Sequence, residues 1–342
     1  MNIVKEADFR RQIKSSPEKC YLFFGDEEYM KNYCLKLARQ TLCPDESLSF
    51  FNEIRFDSVS YNPDALLDAL MPAPVMADTK LIVIKSLDTN AMKPSELDEL
   101  FRVIDALEDY DYNTLIITVP SDRFDPGILP KRPSSLLQKF GERAVCVHFE
   151  KNTPAKLAAW IGKHFEHNGV SAAPDVCMAL IDRCGRDMYT LANETDKLSF
   201  YVLSQGRQSV TREDIMQISI ASTEYDTFAF TNAIAARRRE QALDILYDMK
   251  SRRIEPIIIL SKVSETVCDM MSVCTLAKDG LTAAEISTAL KMHEFRVSKI
   301  MGNQHQEAVC RALTDACVKA DTQLKSSYVN GYEIIERLIC TI

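Results

Sequence analysis

Short-spaced cysteine pairs are missing from this 342-residue sequence: no CxxC occurs, and its eleven cysteines are odd in number and scattered. That excludes a disulfide framework and a cysteine-paired zinc module, and it fits free thiols in a reducing compartment. The one short-spaced histidine pair, His164 and His167, has no cysteine pair beside it, so no metal is expected. No apolar run approaches the roughly 20 residues that cross a bilayer. The opening MNIVKEADFRRQIKSS is charged from Lys5 onward with no apolar stretch behind it. The expectation is a cytoplasmic chain with no membrane contact.

Catalytic signatures are also missing. There is no GxSxG, no HExxH and no compact Cys/His constellation, and carboxylate pairs are too frequent in this composition to single any out. No catalytic residue and no cofactor are expected. Low-complexity tracts are absent too, and with 46% hydrophobic residues the chain has the means to fold throughout, at a length that suits two or three domains.

The net charge of −8 is unevenly placed. Residues 1–150 hold 18 Lys/Arg against 25 Asp/Glu, and residues 151–342 hold 23 against 24. An acidic head on a near-neutral remainder argues against nucleic-acid binding by bulk charge, so any DNA contact must be local or shared with partners.

What is present reads in two styles. Over residues 20–150, short β-branched and aromatic runs alternate with helical stretches, as in a parallel sheet built from βαβ units. Strands are expected at Cys20–Phe24, Phe50–Phe56, Lys80–Ile84, Thr114–Val119 and Ala144–Phe149, near-continuous apolar runs suited to burial on both faces. Between them Tyr29, Met30, Tyr33 and Leu37 recur at helical spacing, and Asn62-Pro63 offers a cap and a first-turn proline. A five-stranded sheet follows.

After Glu150 no further strand is evident. Leu157, Trp160, Ile161, His164 and Phe165 share one helical face, as do Met188, Leu191, Thr195, Leu198 and Val202. Thr211 with Asp214 three residues on restarts a helix. The expected layout is an α/β domain over 1–150, a small helical domain over 151–210, and a larger helical bundle over 211–342 that Val210–Ile220 leads into.

A nucleotide-hydrolysing α/β domain carries GxxxxGK[ST] after its first strand, because consecutive backbone N–H groups and a lysine must cradle phosphate. Here the strand runs into Phe24-Gly25-Asp26-Glu27-Glu28-Tyr29, one glycine and three acids. Two like charges about 6 Å apart repel by roughly 3 kcal/mol at an effective dielectric near 20, and phosphate would add to that repulsion. The same acids suit a helix N-terminus. The magnesium-binding acid is missing as well: the later strands lead to Lys85-Ser86 and Pro120-Ser121.

Four stretches, in order and spacing, resemble the delta-subunit family of bacterial DNA polymerase III: YLFFGDEEYMKNYCLKLARQ, LLDALMPAPVMADTKLIVIK, AWIGKHFEHNGVSAAPDVCMALIDRCGRDMYTLANETDKLSFY and FAFTNAIAARRREQALDILYDMKSRRIEPIIIL. The third is the most specific, through Trp160, Gly169, Gly185-Arg186-Asp187, Leu191, Asn193-Glu194 and Lys197-Leu198. The resemblance implies an AAA+-like head without a nucleotide site, a helical lid and a helical collar. It implies work in DNA replication, as a clamp-loader subunit of the DNA-directed DNA polymerase complex whose nucleotidyltransferase activity lies in other chains. Its implied partners are the beta sliding clamp, the gamma or tau and delta-prime subunits, and primer-template DNA within the assembled loader.

In that family a loop of the head carries adjacent apolar residues that plug a pocket on the clamp. The matching positions are Val75 and Met76, flanked by Pro74 and Ala77. Methionine departs from the commoner phenylalanine; its flexible thioether fills irregular pockets but forgoes aromatic contacts. The plain alternative is that Val75 and Met76 cover the edge of the sheet. Near the C-terminus Lys325 and Tyr328 are candidates for a phosphate and an unpaired base, against packing of the tyrosine. Arg237-Arg238-Arg239 reads as a solvated turn, and Trp160 and His164 as packing residues.

Two other readings stand beside this one. A delta-prime-like stator or other AAA+ adaptor would bring a cysteine-rich zinc module and a Ser-Arg-Cys motif, neither of which occurs. A nucleotide-dependent enzyme would need a degenerate phosphate loop that still binds ATP.

Overall fold

A computed structural model describes residues 3–236, 238–292, 294–302 and 307–341. The chain divides into two compact units, residues 1–153 and 154–342.

The first unit is a six-stranded parallel sheet, one strand more than the sequence suggests. Its strands are β1 (Ile3–Lys5), β2 (Cys20–Gly25), β3 (Glu53–Asp57), β4 (Lys80–Lys85), β5 (Asn113–Thr118) and, after a two-residue hairpin of β6 (Gly127–Ile128) and β7 (Arg132–Pro133), β8 (Val145–Phe149). The order is β1-β8-β2-β5-β4-β3, with Leu22 level with both Cys146 and Ile117, and Ile82 with both Leu115 and Ile54. The added strand β1 is a three-residue edge that pairs Val4 with Val147, too short to stand out as a periodic run.

Helices α1 (Glu6–Ser15), α2 (Glu28–Leu42), a single turn α3 (Ser49–Asn52), α4 (Pro63–Leu70), α5 (Pro94–Asp105) and α6 (Ser135–Gly141) complete the unit. Leu22, Phe24, Ile82, Ile84, Leu115 and Ile117 pack in one cluster with Leu66 and Leu70 of α4, Leu100 and Ile104 of α5, and Leu137 and Phe140 of α6. Phe9 of α1 sits edge-on to Tyr21 and Phe23, at 5.0 and 4.8 Å between ring centres. The α4 start is as the sequence implies: Asn62 Oδ1 accepts from the N–H of Asp64 and Ala65, with Pro63 in the first turn.

Two local expectations need correction. The buried stripe of α2 is Met30, Cys34, Ala38 and Leu42, while Tyr33 faces solvent. The Phe50–Phe56 strand begins only at Glu53, because residues 49–52 coil into α3 and turn Phe50 and Phe51 outward. Two adjacent phenylalanines read as a doubly buried strand; here they are exposed.

The second unit opens with α7 (Pro154–His167), β9 (Ser171–Ala172), α8 (Pro174–Cys184), α9 (Met188–Ser204), β10 (Ser209–Val210) and α10 (Arg212–Ile218). The strands β9 and β10 form a two-residue parallel pair that periodicity could not reveal. Both expected apolar faces are present: Leu157, Ile161 and Phe165 are buried on α7, and Met188, Leu191, Thr195, Leu198 and Val202 on α9. Trp160 is half-buried, edge-on to His164, whose Nε2 lies 2.8 Å from Asp196. Gly185 ends α8 at φ +87°, a conformation side chains resist, and Asp187 caps α9 through the N–H of Thr190.

Then follow α11 (Thr223–Ala235), α12 (Arg239–Ser251), α13 (Pro256–Lys278), α14 (Ala283–Leu290), α15 (Glu294–Gly302), α16 (Glu307–Ser326) and α17 (Gly331–Thr341). The central helix α13 supplies Leu260, Val263, Val267 and Met270 to a core shared with Leu246, Leu313, Ile334 and Leu338. Nine of the eleven cysteines are buried or half-buried, and burial pushes the thiols of Cys20, Cys34 and Cys146 up; Cys268 and Cys340 are exposed. Among the described residues no helix is long and apolar enough to cross a membrane.

The expected α10 cap is a full capping box tied to a salt bridge. Asp214 accepts from the N–H and hydroxyl of Thr211 at 2.8 Å each and takes a two-pronged contact from Arg207 at 2.6 and 3.0 Å. Arg207 foremost holds the Asp214 carboxyl down at about 2. A depressed carboxylate contributes stability above its unfolded pKa near 3.8 and loses it as pH falls toward 2. Asp214→Asn is therefore expected to lower stability by about 1–2 kcal/mol at pH 7, discounted because Arg207 is partly solvated. Urea melts of the two proteins should converge between pH 4 and pH 2.

Candidate functional site

In an open α/β sheet, ligands sit beyond the carboxyl ends of the strands where the order reverses. That point here is the end of β2, between β8 and β5. It is closed by the chain itself. Gly25 turns at φ +108°, and a Cβ there would fall 2.5 Å from the Phe149 carbonyl oxygen; the next N–H to bond is that of Glu27, which donates to the same oxygen at 3.1 Å. Lys31, on the first turns of α2, is directed inward and almost wholly buried. Its Nζ donates to the Val119 carbonyl at 2.8 Å and to Glu28 Oε1 at 2.7 Å. Glu27 is buried as well. The acidic cluster is thus only partly the bare repulsive surface that its sequence suggests: one carboxylate is buried and another is paired to an internal lysine.

The opposite, amino-terminal edge of the sheet carries the loop 71–79 between α4 and β4. Lys80 opens β4 with its side chain buried, and Nζ donates to the carbonyls of Ala69 (2.6 Å), Leu70 (3.4 Å) and Pro72. Burial pushes this ammonium below the usual lysine range. Tyr112, whose ring lies 5.6 Å from the ammonium, donates its hydroxyl to the Met71 carbonyl at 2.6 Å. At the far side of the loop the buried Asn52 grips Val75 at both ends: the Val75 N–H donates to Oδ1 at 2.7 Å, and Nδ2 donates to the Val75 carbonyl at 2.8 Å. Thr79 donates to the Leu42 carbonyl at 2.9 Å.

Between these anchors the side chains are turned to solvent. Val75 is 40% and Met76 89% exposed. Met76 holds φ +50°, a left-handed conformation that costs a non-glycine residue about 1–2 kcal/mol. Pro74 is half-buried and Ala77 exposed. Covering the sheet edge is not what Val75 and Met76 do.

The remaining candidates lie in the other unit. Lys325 lies in the last turn of α16 with its Nζ 2.7 Å from Asp321, and Tyr328 is fully exposed in the turn before α17, so it packs in no core. Arg237 lies outside the described residues; Arg238 and Arg239 start α12 exposed. Among the described residues no three His, Cys, Asp or Glu side chains come together as a metal site.

Residues 224–342 match the family described as "DNA polymerase III delta subunit, C-terminal domain". That domain belongs to the delta family. Over nearly its whole length the chain is similar, at 21% identity across 332 residues, to the DNA polymerase III subunit delta of Bacillus subtilis (strain 168), covering 94% of this chain and 92% of that one. The solved structure of the Bacillus subtilis DNA clamp loader delta protein superposes with a TM-score of 0.63 at 19% identity, covering 98% of each chain. The fold is therefore that of this clamp loader delta protein, a parallel sheet flanked by helices and followed by a largely helical unit.

The residues that hold the loop, Lys80 and Asn52, carry no signal that periodicity could read. Lys80 follows a run of loop residues and looks like a solvent-facing strand start; a lysine directly before LIVI, where the apolar strand begins, was the available hint. Asn52→Ala should leave the Val75 N–H and carbonyl without partners. We expect a stability loss of about 1–3 kcal/mol and, by hydrogen exchange, Val75 amide protection reduced by roughly tenfold or more. Titration with ATP and magnesium should give no binding heat; micromolar binding would revive the nucleotide-enzyme reading.

Proposed function

We propose that this chain is the delta subunit of a DNA polymerase III clamp loader, and that the Val75–Met76 tip, with Pro74 and Ala77 beside it, binds the sliding clamp. The observation that carries the reading is the combination of an exposed apolar tip and a fully anchored base, in a chain whose C-terminal domain is of the delta family.

Pro72 and Pro74 restrict the free loop, and the Asn52 and Lys80 contacts fix its stem, so little conformational freedom is left to lose on binding. Burying a valine and a methionine contributes roughly 3–6 kcal/mol gross, at 1.5–3 each. Association itself costs an estimated 4–15 kcal/mol, so the tip needs neighbouring contacts to bind tightly. In this reading the rigid head holds open an interface of the ring so that it can be loaded on primed DNA. ATP bound by sister subunits times the exposure of the tip, and this subunit needs no catalysis of its own.

The helical region divides in this proposal into a lid over 151–210 and a collar over 211–342, the latter joining the gamma or tau and delta-prime subunits. Within the assembled loader the exposed ring of Tyr328 stacks on an unpaired template base, a contact worth about 1–3 kcal/mol. Lys325 faces a phosphate there, sharing its charge with Asp321.

Purified clamp should bind the wild type and lose affinity by about tenfold or more for a folded Val75→Ser, Met76→Ser variant. Undiminished binding would refute the assignment of the tip.

A further inference from the structure

Beside the tip lies a second apolar surface that no motif marked. Strands β3 and β4 are neighbours in register, Glu53 level with Leu81. Asn52, just before β3, and Lys80, which opens β4, therefore stand at the same edge of the sheet about 4.8 Å apart. Asn52 is bonded through both its amide atoms to Val75, and the two residues preceding it are Phe51 and Phe50, 53% and 84% exposed. Their rings meet edge-on at 5.4 Å and have no core to enter.

From these relations we infer that Phe50 and Phe51 are a second anchor for the same ring protein that takes the Val75–Met76 tip. The inference rests on the clamp-binding reading and extends it from a two-residue plug to a two-lobed surface. The area is the reason to join the lobes. Phenylalanines of about 200 Å² each at the stated exposures, with Val75 and Met76, present on the order of 500 Å² of apolar surface, at the upper end of what monomers expose. A stable interface covers about 800 Å² on each partner. The tip alone supplies a minor part of that; with the aromatic pair most of the apolar centre is in place.

The pairing is also mechanical. The tip is gripped by Asn52, and Asn52 is the last residue of the helical turn that carries the two rings. A load on either lobe is transmitted to the other through two hydrogen bonds rather than along a free loop. A rigid surface of this kind is what a subunit needs if binding is to hold a partner in a strained shape.

The test measures clamp binding to the full chain, by surface plasmon resonance, for Phe50→Ser/Phe51→Ser and for Val75→Ser/Met76→Ser, with circular dichroism melts on each. Since both rings are exposed, the aromatic variant should melt as the wild type does. It should lose clamp affinity by roughly tenfold or more and recover most of it as Phe50→Leu/Phe51→Leu. A photo-crosslinking benzoylphenylalanine at position 50 should join the clamp. Full affinity in the serine variant with no crosslink overturns the second anchor while a weakened tip variant keeps the tip. Full affinity in both variants overturns the clamp reading itself. Loss of self-association in sedimentation, with clamp binding intact, would assign the aromatic pair to a second copy of this chain and overturn the inference.

Discussion

The Lys80 ammonium is the constraint around which the exposed loop is organised. A positive charge taken out of water costs several kcal/mol unless oxygen atoms replace its hydration. Here the replacements are the backbone carbonyls of Ala69 and Leu70, the last two residues of α4, and of Pro72 just beyond it. Those carbonyls must point inward, toward the first residue of β4. With the stem so fixed, the side chains of the loop are left to face solvent. The helix end gains as well, since its terminal carbonyls would otherwise lack partners. One buried charge thus caps a helix, starts a strand and aims a loop.

The same device works at the other edge of the sheet with the opposite result. Lys31 is also buried with its ammonium on a carbonyl, that of Val119, and it takes Glu28 as a counter-ion. There the lysine draws the chain into the crevice where α/β domains of this topology hold ligands. One edge is filled from within and the other presents apolar side chains outward. This asymmetry is compatible with the proposed role of a head that grips a partner.

Much of this was legible in the residue order. Four of the expected strands, the Asn62-Pro63 start of α4, the Thr211–Asp214 box and both apolar faces of α7 and α9 follow from periodicity and capping chemistry, which act over a few residues. The proposed tip, Val75 and Met76, rests on resemblance for its role; the structure adds that both side chains are exposed. The errors share a cause. The strand β1, the pair β9 and β10, and the outward turn of Phe50 and Phe51 depend on partners distant in sequence. The stripe of α2 was misplaced because Cys34 and Ala38, not the tyrosines, face the sheet.

By itself, then, the sequence determined the succession of a parallel sheet and a predominantly helical remainder, the lack of a phosphate loop, and the position of an apolar pair between two helix-strand signals. Local periodicity and steric preference suffice for those. Only the tertiary structure decided which charges are buried, because a lysine in a chain of letters carries no sign of whether carbonyls from a neighbouring helix end will surround it. It also decided that residues 23 positions apart, Asn52 and Val75, are bonded, since adjacency of β3 and β4 in the sheet, not distance along the chain, brings them together.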